Sequence, residues 1–159
     1  MDTLSIFGLQ FSISLLVTGL LAKWNLSPWL DRQSQHQALY WLALPHAFRH
    51  IGMVFLAPGV VAQPLPEYFS IAAAYGDLMA GLLALLAMAA LRGGWASALV
   101  LVWIFNIVGT LDLLNALRHA DVVSSFGAAW YIPTFLVPLL LVTHFMIFLR
   151  LLRPVHQQR

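Results

Sequence analysis

LPHAFRHIG, residues Leu44 to Gly52, sets a proline, two histidines and an arginine inside an otherwise apolar run. The sequence on either side is of the kind that faces lipid or packs helix against helix. An isolated charge at the bilayer centre costs roughly 2.5 to 3.5 kcal/mol on insertion scales, so Arg49 is expected to face inward and to be matched by partners elsewhere in the chain. Which residues match it decides how the helices are arranged.

The composition agrees with a membrane setting. Of 159 residues, 61% are hydrophobic and 9% charged, far from a soluble globular domain and typical of a polytopic membrane protein. The expected fold class is all-α, a polytopic membrane helical bundle of about five transmembrane helices forming a single domain over residues 1–159. A net charge of +2 comes from few charges, several of them near the C-terminus, and no basic stripe exists to neutralise a phosphate backbone, which excludes nucleic acid as a partner. Cysteine is absent, and with it disulfides, thiolate metal sites, iron–sulfur clusters and thiol catalysis. Asp2 is the only charge before the first apolar run and Lys23 follows that run, so the positive start of a secretory signal is missing and a retained helix is expected.

Apolar segments near the ~20 residues that cross a bilayer run over about 4–22, 38–57, 68–91, 95–117 and 128–152. The first carries Ser5, Gly8, Ser12 and Gly19 near one face, a packing pattern. The connector Lys23 to Gln37 holds Trp24 and Trp29 and is read as an interfacial surface stretch. Pro45 is expected to kink the second helix and Pro58-Gly59 to end it. The third helix sets Asp77 into a stripe of Ala73, Ala80, Ala84 and Ala87 and ends at the turn Arg92-Gly93-Gly94. The fourth holds Asn106, Gly109, Thr110, Asp112 and Asn115, and the fifth Thr143 and His144. His36, His119 and His156 are read as solvated residues of loops or the tail. Lys23, Arg32, Arg92, Arg150, Arg153 and Arg159 fall on one side of a five-span bundle and only Arg118 on the other, which predicts a bacterial-type inner membrane protein with its N-terminus outside and its C-terminus cytoplasmic.

On an α-helix His46, Arg49 and His50 share roughly one face. At about 1.5 Å per residue, Arg49 and His50 lie near mid-membrane, Asp77 at a comparable depth and Asp112 somewhat further out. The expected partners of Arg49 are therefore Asp77 and Asp112. Guanidinium grips carboxylate, phosphate or another oxyanion in a forked geometry, and a neighbouring histidine can move protons. That assigns His50, Asp77 and Asp112 as candidate catalytic residues, with His50 as acid or base, and His46, Arg49, Asn106 and His144 as candidate ligand-binding residues. The ligand class that suits a pocket open to the outer leaflet is a lipid, isoprenoid or quinone headgroup. Whether catalysis occurs stays open.

Other readings compete. The cluster is also what a buried ion-pair network looks like when it fixes the packing of a structural or assembly subunit in a membrane complex. His46 and His50 at a four-residue spacing, with an aspartate, resemble half of a metal site, but Arg49 beside them repels a divalent cation and no metal is assigned. A b-type haem would need His46 or His50 opposite His144, with Gly52 and Gly81 making room, and His144 is expected to lie deeper than His50. Cofactors thus stay open between haem and quinone. A transporter protomer, or a homo-oligomer built through the first helix, completes the set.

Arg49-His-Ile-Gly52-Met-Val-Phe55 with Gly59 beyond it, then Asp77 and Gly81 in a leucine-rich helix ending at Arg92, resembles the DoxX-like small membrane proteins. The resemblance covers about Arg49 to Arg92. It implies a small helical bundle and an accessory association with quinone-linked oxidoreductases. The chain departs from the family pattern in having an added first helix, Asp77 where a glutamate is usual, and no lysine after Gly59.

Overall fold

Prolines decide where the helices of this protein leave α geometry. In the computed structural model, which describes residues 1–62 and 65–153, the first helix, α1 (Thr3–Leu30), opens into a π turn over Ala22–Leu26 just before Pro28. The last, α5 (Gly127–Leu151), begins with a 3₁₀ turn and has a π turn over Ile132–Leu136 just before Pro138. A proline ring collides with the carbonyl four residues back, here of Trp24 and Thr134, and the wider turn relieves the collision without ending the helix. The connector expected from Lys23 to Gln37 is consequently much shorter. Lys23 to Leu30 continue α1, and α2 (Gln35–Ala43) starts at Ser34, whose side chain and that of Gln37 form a capping box. His36 therefore lies in the first turn of α2, not in a loop. His156 and Arg159 lie outside the described residues.

The third proline has the largest effect. At Leu44-Pro45 the chain switches from α2 into a 3₁₀ helix that runs for 13 residues, Leu44–Leu56. The expected second helix over 38–57 is thus a composite, α for two and a half turns and 3₁₀ thereafter. At about 1.5 and 2.0 Å per residue, Gln35–Leu56 extends some 40 Å, beyond the ~30 Å of a hydrocarbon core. Among the described residues, four other helices, and not this composite, are long and apolar enough to cross a membrane: α1, α3 (Glu67–Gly93), α4 (Ala98–Leu117) and α5. The chain is an all-α helical bundle, and no strand occurs among the described residues. α3 closes on Gly94, whose φ of 65° is the left-handed cap that the turn after Arg92 needs.

α3 packs along the 3₁₀ segment on one side and α4 on the other, while α5 touches α1, α2 and α4. Only 6% of the apolar window of α1 is buried against 56% for α5, so α1 is a peripheral helix laid on α5. Two apolar clusters form the core. One, at the end where α4 meets the loops, gathers Phe7, Phe55, Phe69, Leu113 and Phe126. The other gathers Leu30, Leu39, Ala84, Leu91, Val102, Phe105 and Ile147. Between them lie His46 and His144, against Phe105 of the second cluster, and Asp77 and Asp112, beside the phenylalanines of the first.

Candidate functional site

A 3₁₀ helix repeats every three residues, so side chains at i and i+3 stand in line. His46, Arg49, Gly52 and Phe55 are the buried residues of the segment Leu44–Leu56. In an α-helix three residues advance about 300°, and three such steps would carry Phe55 to the face opposite His46. The tighter helix keeps all four against the bundle. It also turns His50 outward: that side chain is exposed, and its Nδ1 lies 3.2 Å from the carbonyl of Ala47. His50 does not share the face of His46 and Arg49, contrary to the α-helical spacing argument.

Arg49 is 1% exposed and its guanidinium is occupied on three sides. Nε donates to Asp77 Oδ1 at 2.7 Å, Nη2 to Asp112 Oδ2 at 2.5 Å, and Nη1 to the carbonyl of Gly109 at 3.0 Å. Three glycines make this packing feasible. A Cβ on Gly52 would collide with the carboxylate of Asp77, one on Gly76 with that of Asp112, and one on Gly109 would stand 2.9 Å from Arg49 Nη1 and 2.8 Å from His144 Cε1. Gly81 of α3 faces the backbone of His46 and His50, 3.5 and 3.6 Å from a would-be Cβ, an ordinary contact distance at which a methyl group would also fit.

Beyond Arg49 the polar layer continues into a histidine pair. His46 and His144 are both buried, with ring centroids 4.0 Å apart and Phe105 against each. His144 thus lies level with His46, more than one turn before His50 along the segment. The hydrogen bonds assign the tautomers. Thr143 Oγ1 donates to the carbonyls of Leu139 or Leu140, so at 2.9 Å it accepts from His46 Nε2. Asn106 donates from Nδ2 to the His144 carbonyl, which leaves Oδ1 to accept from His144 Nδ1 at 2.7 Å. His46 Nδ1 and His144 Nε2 then carry lone pairs, and neither has a hydrogen-bond partner.

This arrangement does not fit haem. Two axial imidazoles must aim nitrogens at one iron from opposite faces of a macrocycle, whereas these rings are nearly in contact and leave no plane between them. Among the described residues no three of His, Cys, Asp and Glu come together as metal ligands.

The carboxylates, unlike Arg49, are open on one side. Asp77 and Asp112 are 13% and 16% exposed at their side chains and both line a cavity of about 40 Å³ whose walls include Phe7, Phe55, Phe69 and Phe126. A second hollow of similar size continues from Asp112 past Asn115 to Tyr68 and His119. By this measure a water needs about 10 to 15 Å³, so the space admits a few polar atoms. Of the candidate residues, the structure brings together His46, Arg49, Asp77, Asn106, Asp112 and His144 and leaves out His50. Residues that the spacing did not single out also contribute: Thr143 through its hydroxyl, Gly76 through its missing side chain, and His119, which lies in the turn after α4 and lines both hollows, its ring 5.3 Å from that of Tyr68.

Outside the spans, Asp31 joins the ends of α1 and α5. Its Oδ1 accepts from Arg150 Nη2 and Arg153 Nη1, each at 2.9 Å. Partial burial works against its ionisation, but the two arginines outweigh that and hold its carboxyl below the usual range.

No curated protein and no solved structure matches the chain. A family model does, over residues 6–152, and by that match the chain belongs to the family described as a domain of unknown function, DUF8737.

Proposed function

We propose that the chain is a multi-pass protein of a cell inner membrane, N-terminus outside and C-terminus cytoplasmic, that receives the polar head of an apolar small molecule above Asp77 and Asp112. One observation carries the reading: two carboxylates open onto a phenylalanine-walled cavity while their single counter-cation is sealed behind them. Two carboxylates against one guanidinium leave a surplus negative charge, which a low-dielectric interior requires a proton or a ligand's donor to offset. A head group arriving through the cavity therefore meets carboxylate oxygens first. Within the lipid, isoprenoid and quinone class this favours heads that present O–H or N–H groups: a quinol, an isoprenoid alcohol or an amine-bearing lipid. Arg49 then positions the two acceptors and does not itself bind the ligand. The resemblance to DoxX-like proteins supports an accessory place beside a redox enzyme.

The test is solvent extraction and mass spectrometry of the protein purified in mild detergent. A co-purifying compound of this class that is lost in Asp112→Asn supports the reading. A protein free of such compounds, or one that keeps them unchanged in both Asp77→Asn and Asp112→Asn, ends it.

A second reading rests on the closure around Arg49. A fully enclosed arginine that ties the 3₁₀ segment to α3 and α4 is also what holds a non-enzymatic subunit in one packing. It predicts a clean protein whose carboxylate variants lose stability and nothing else.

A further inference from the structure

Away from this site, a groove of about 590 Å³ runs between α1 and α5 on the surface of the bundle. Leu15 and Phe145 are among its apolar walls, and Gly19 opens onto it with no atom within 4 Å of a would-be Cβ. One end has a different chemistry, for Lys23, Arg150 and Arg153 close it. Arg150 and Arg153 share the single carboxylate of Asp31, and Lys23 has no partner among the described residues. Three cations against one anion leave two positive charges at the end of an apolar channel. From Leu15 to Lys23 the channel extends about 12 Å at 1.5 Å per residue, enough for a good part of an acyl chain.

We propose that this groove binds an anionic phospholipid, with one acyl chain along Leu15, Gly19 and Phe145 and the phosphate between Lys23 and Arg153. Arg150 stays on Asp31, while Arg153, exposed at its head, has donors left to grip two phosphate oxygens. A zwitterionic head would bring its ammonium into the same positive field, so the groove discriminates by headgroup charge. The site is independent of the Asp77 and Asp112 cavity and does not rest on its function.

The full chain in detergent, offered equal amounts of phosphatidylglycerol and phosphatidylcholine with identical acyl chains, tests this by native mass spectrometry. Retention of phosphatidylglycerol over phosphatidylcholine by about tenfold or more is expected, each basic residue near a membrane surface contributing roughly a fivefold preference. Lys23→Gln with Arg153→Gln should bring that ratio close to one, and Gly19→Phe should abolish retention with the charges intact. Lys23 and Arg153 are exposed and Gly19 faces open space, so folding is not at stake in these variants. Equal retention of the two lipids by the unaltered protein overturns the proposal, as does an unchanged ratio in the double variant or undiminished binding in Gly19→Phe. Displacement by glycerol phosphate as effective as by lipid would overturn it too, since that describes a phosphate site without a chain.

Discussion

Arg49 and Asp112 are 63 positions apart in the chain, yet Nη2 of one lies 2.5 Å from Oδ2 of the other, and Asp77 holds the same guanidinium from α3 at 2.7 Å. The pairing joins three helical elements at one depth. It also has unequal charge, two anions to one cation, and that inequality determines how its members respond to substitution.

Arg49→Met leaves two carboxylates facing each other without a counter-charge and is expected to cost about 3 to 5 kcal/mol. Asp112→Asn keeps an acceptor for Nη2 and makes the cluster neutral, and should cost about 1 kcal/mol. Equilibrium unfolding of the two variants in the same detergent measures both. Equal losses would show that the charge count does not govern the site.

His46 and His50 separate 3₁₀ from α geometry. His46→Ala removes a buried ring from between Thr143, His144 and Phe105 and should destabilise by about 2 kcal/mol or more, whereas His50→Ala, at an exposed position, should stay within about 0.5 kcal/mol. Comparable effects at the two positions, read from thermal midpoints, would mean that both face the bundle as an α-helix would have them.

Glycine substitutions probe the close approaches. Gly109→Ala sets a methyl group against Arg49 and His144 and is expected to cost about 1 to 3 kcal/mol by overpacking. Gly8→Ala in α1, with nothing within 4 Å, should stabilise by some tenths up to about 1 kcal/mol through helix propensity. The pair of unfolding curves should therefore shift in opposite directions.

The Asp31 junction gives a pH signature. Its carboxyl is held below the ordinary value in the folded chain, so its contribution is present above the unfolded pKa of about 3.9 and is lost as pH falls through the lower folded value. The difference in thermal midpoint between the unaltered protein and Asp31→Asn should be constant near neutrality and close below about pH 4. A difference that persisted into stronger acid would mean the carboxylate does not carry the junction. Asp31 is about half exposed, so the effect is small and salt should reduce it.

An all-α membrane-type bundle is legible from the residues alone, because hydrophobic runs of spanning length and the absence of soluble composition are local properties. The sequence also pointed to Arg49 with Asp77 and Asp112, since a buried cation needs anions at its own depth and only these two were available in the neighbouring helices. Two features depend on contacts between distant segments. The first is the face that LPHAFRHIG presents: Pro45 announces a break, but whether a kinked α-helix or a 3₁₀ helix follows depends on the packing against α3, where Gly52 leaves room for Asp77, and the 3₁₀ helix buries His46 with Arg49 and expels His50. The second is the partner of each polar group. His144 meets His46, and Asp77 and Asp112 lie over Gly52 and Gly76, through contacts between distant segments whose geometry no spacing along the chain encodes.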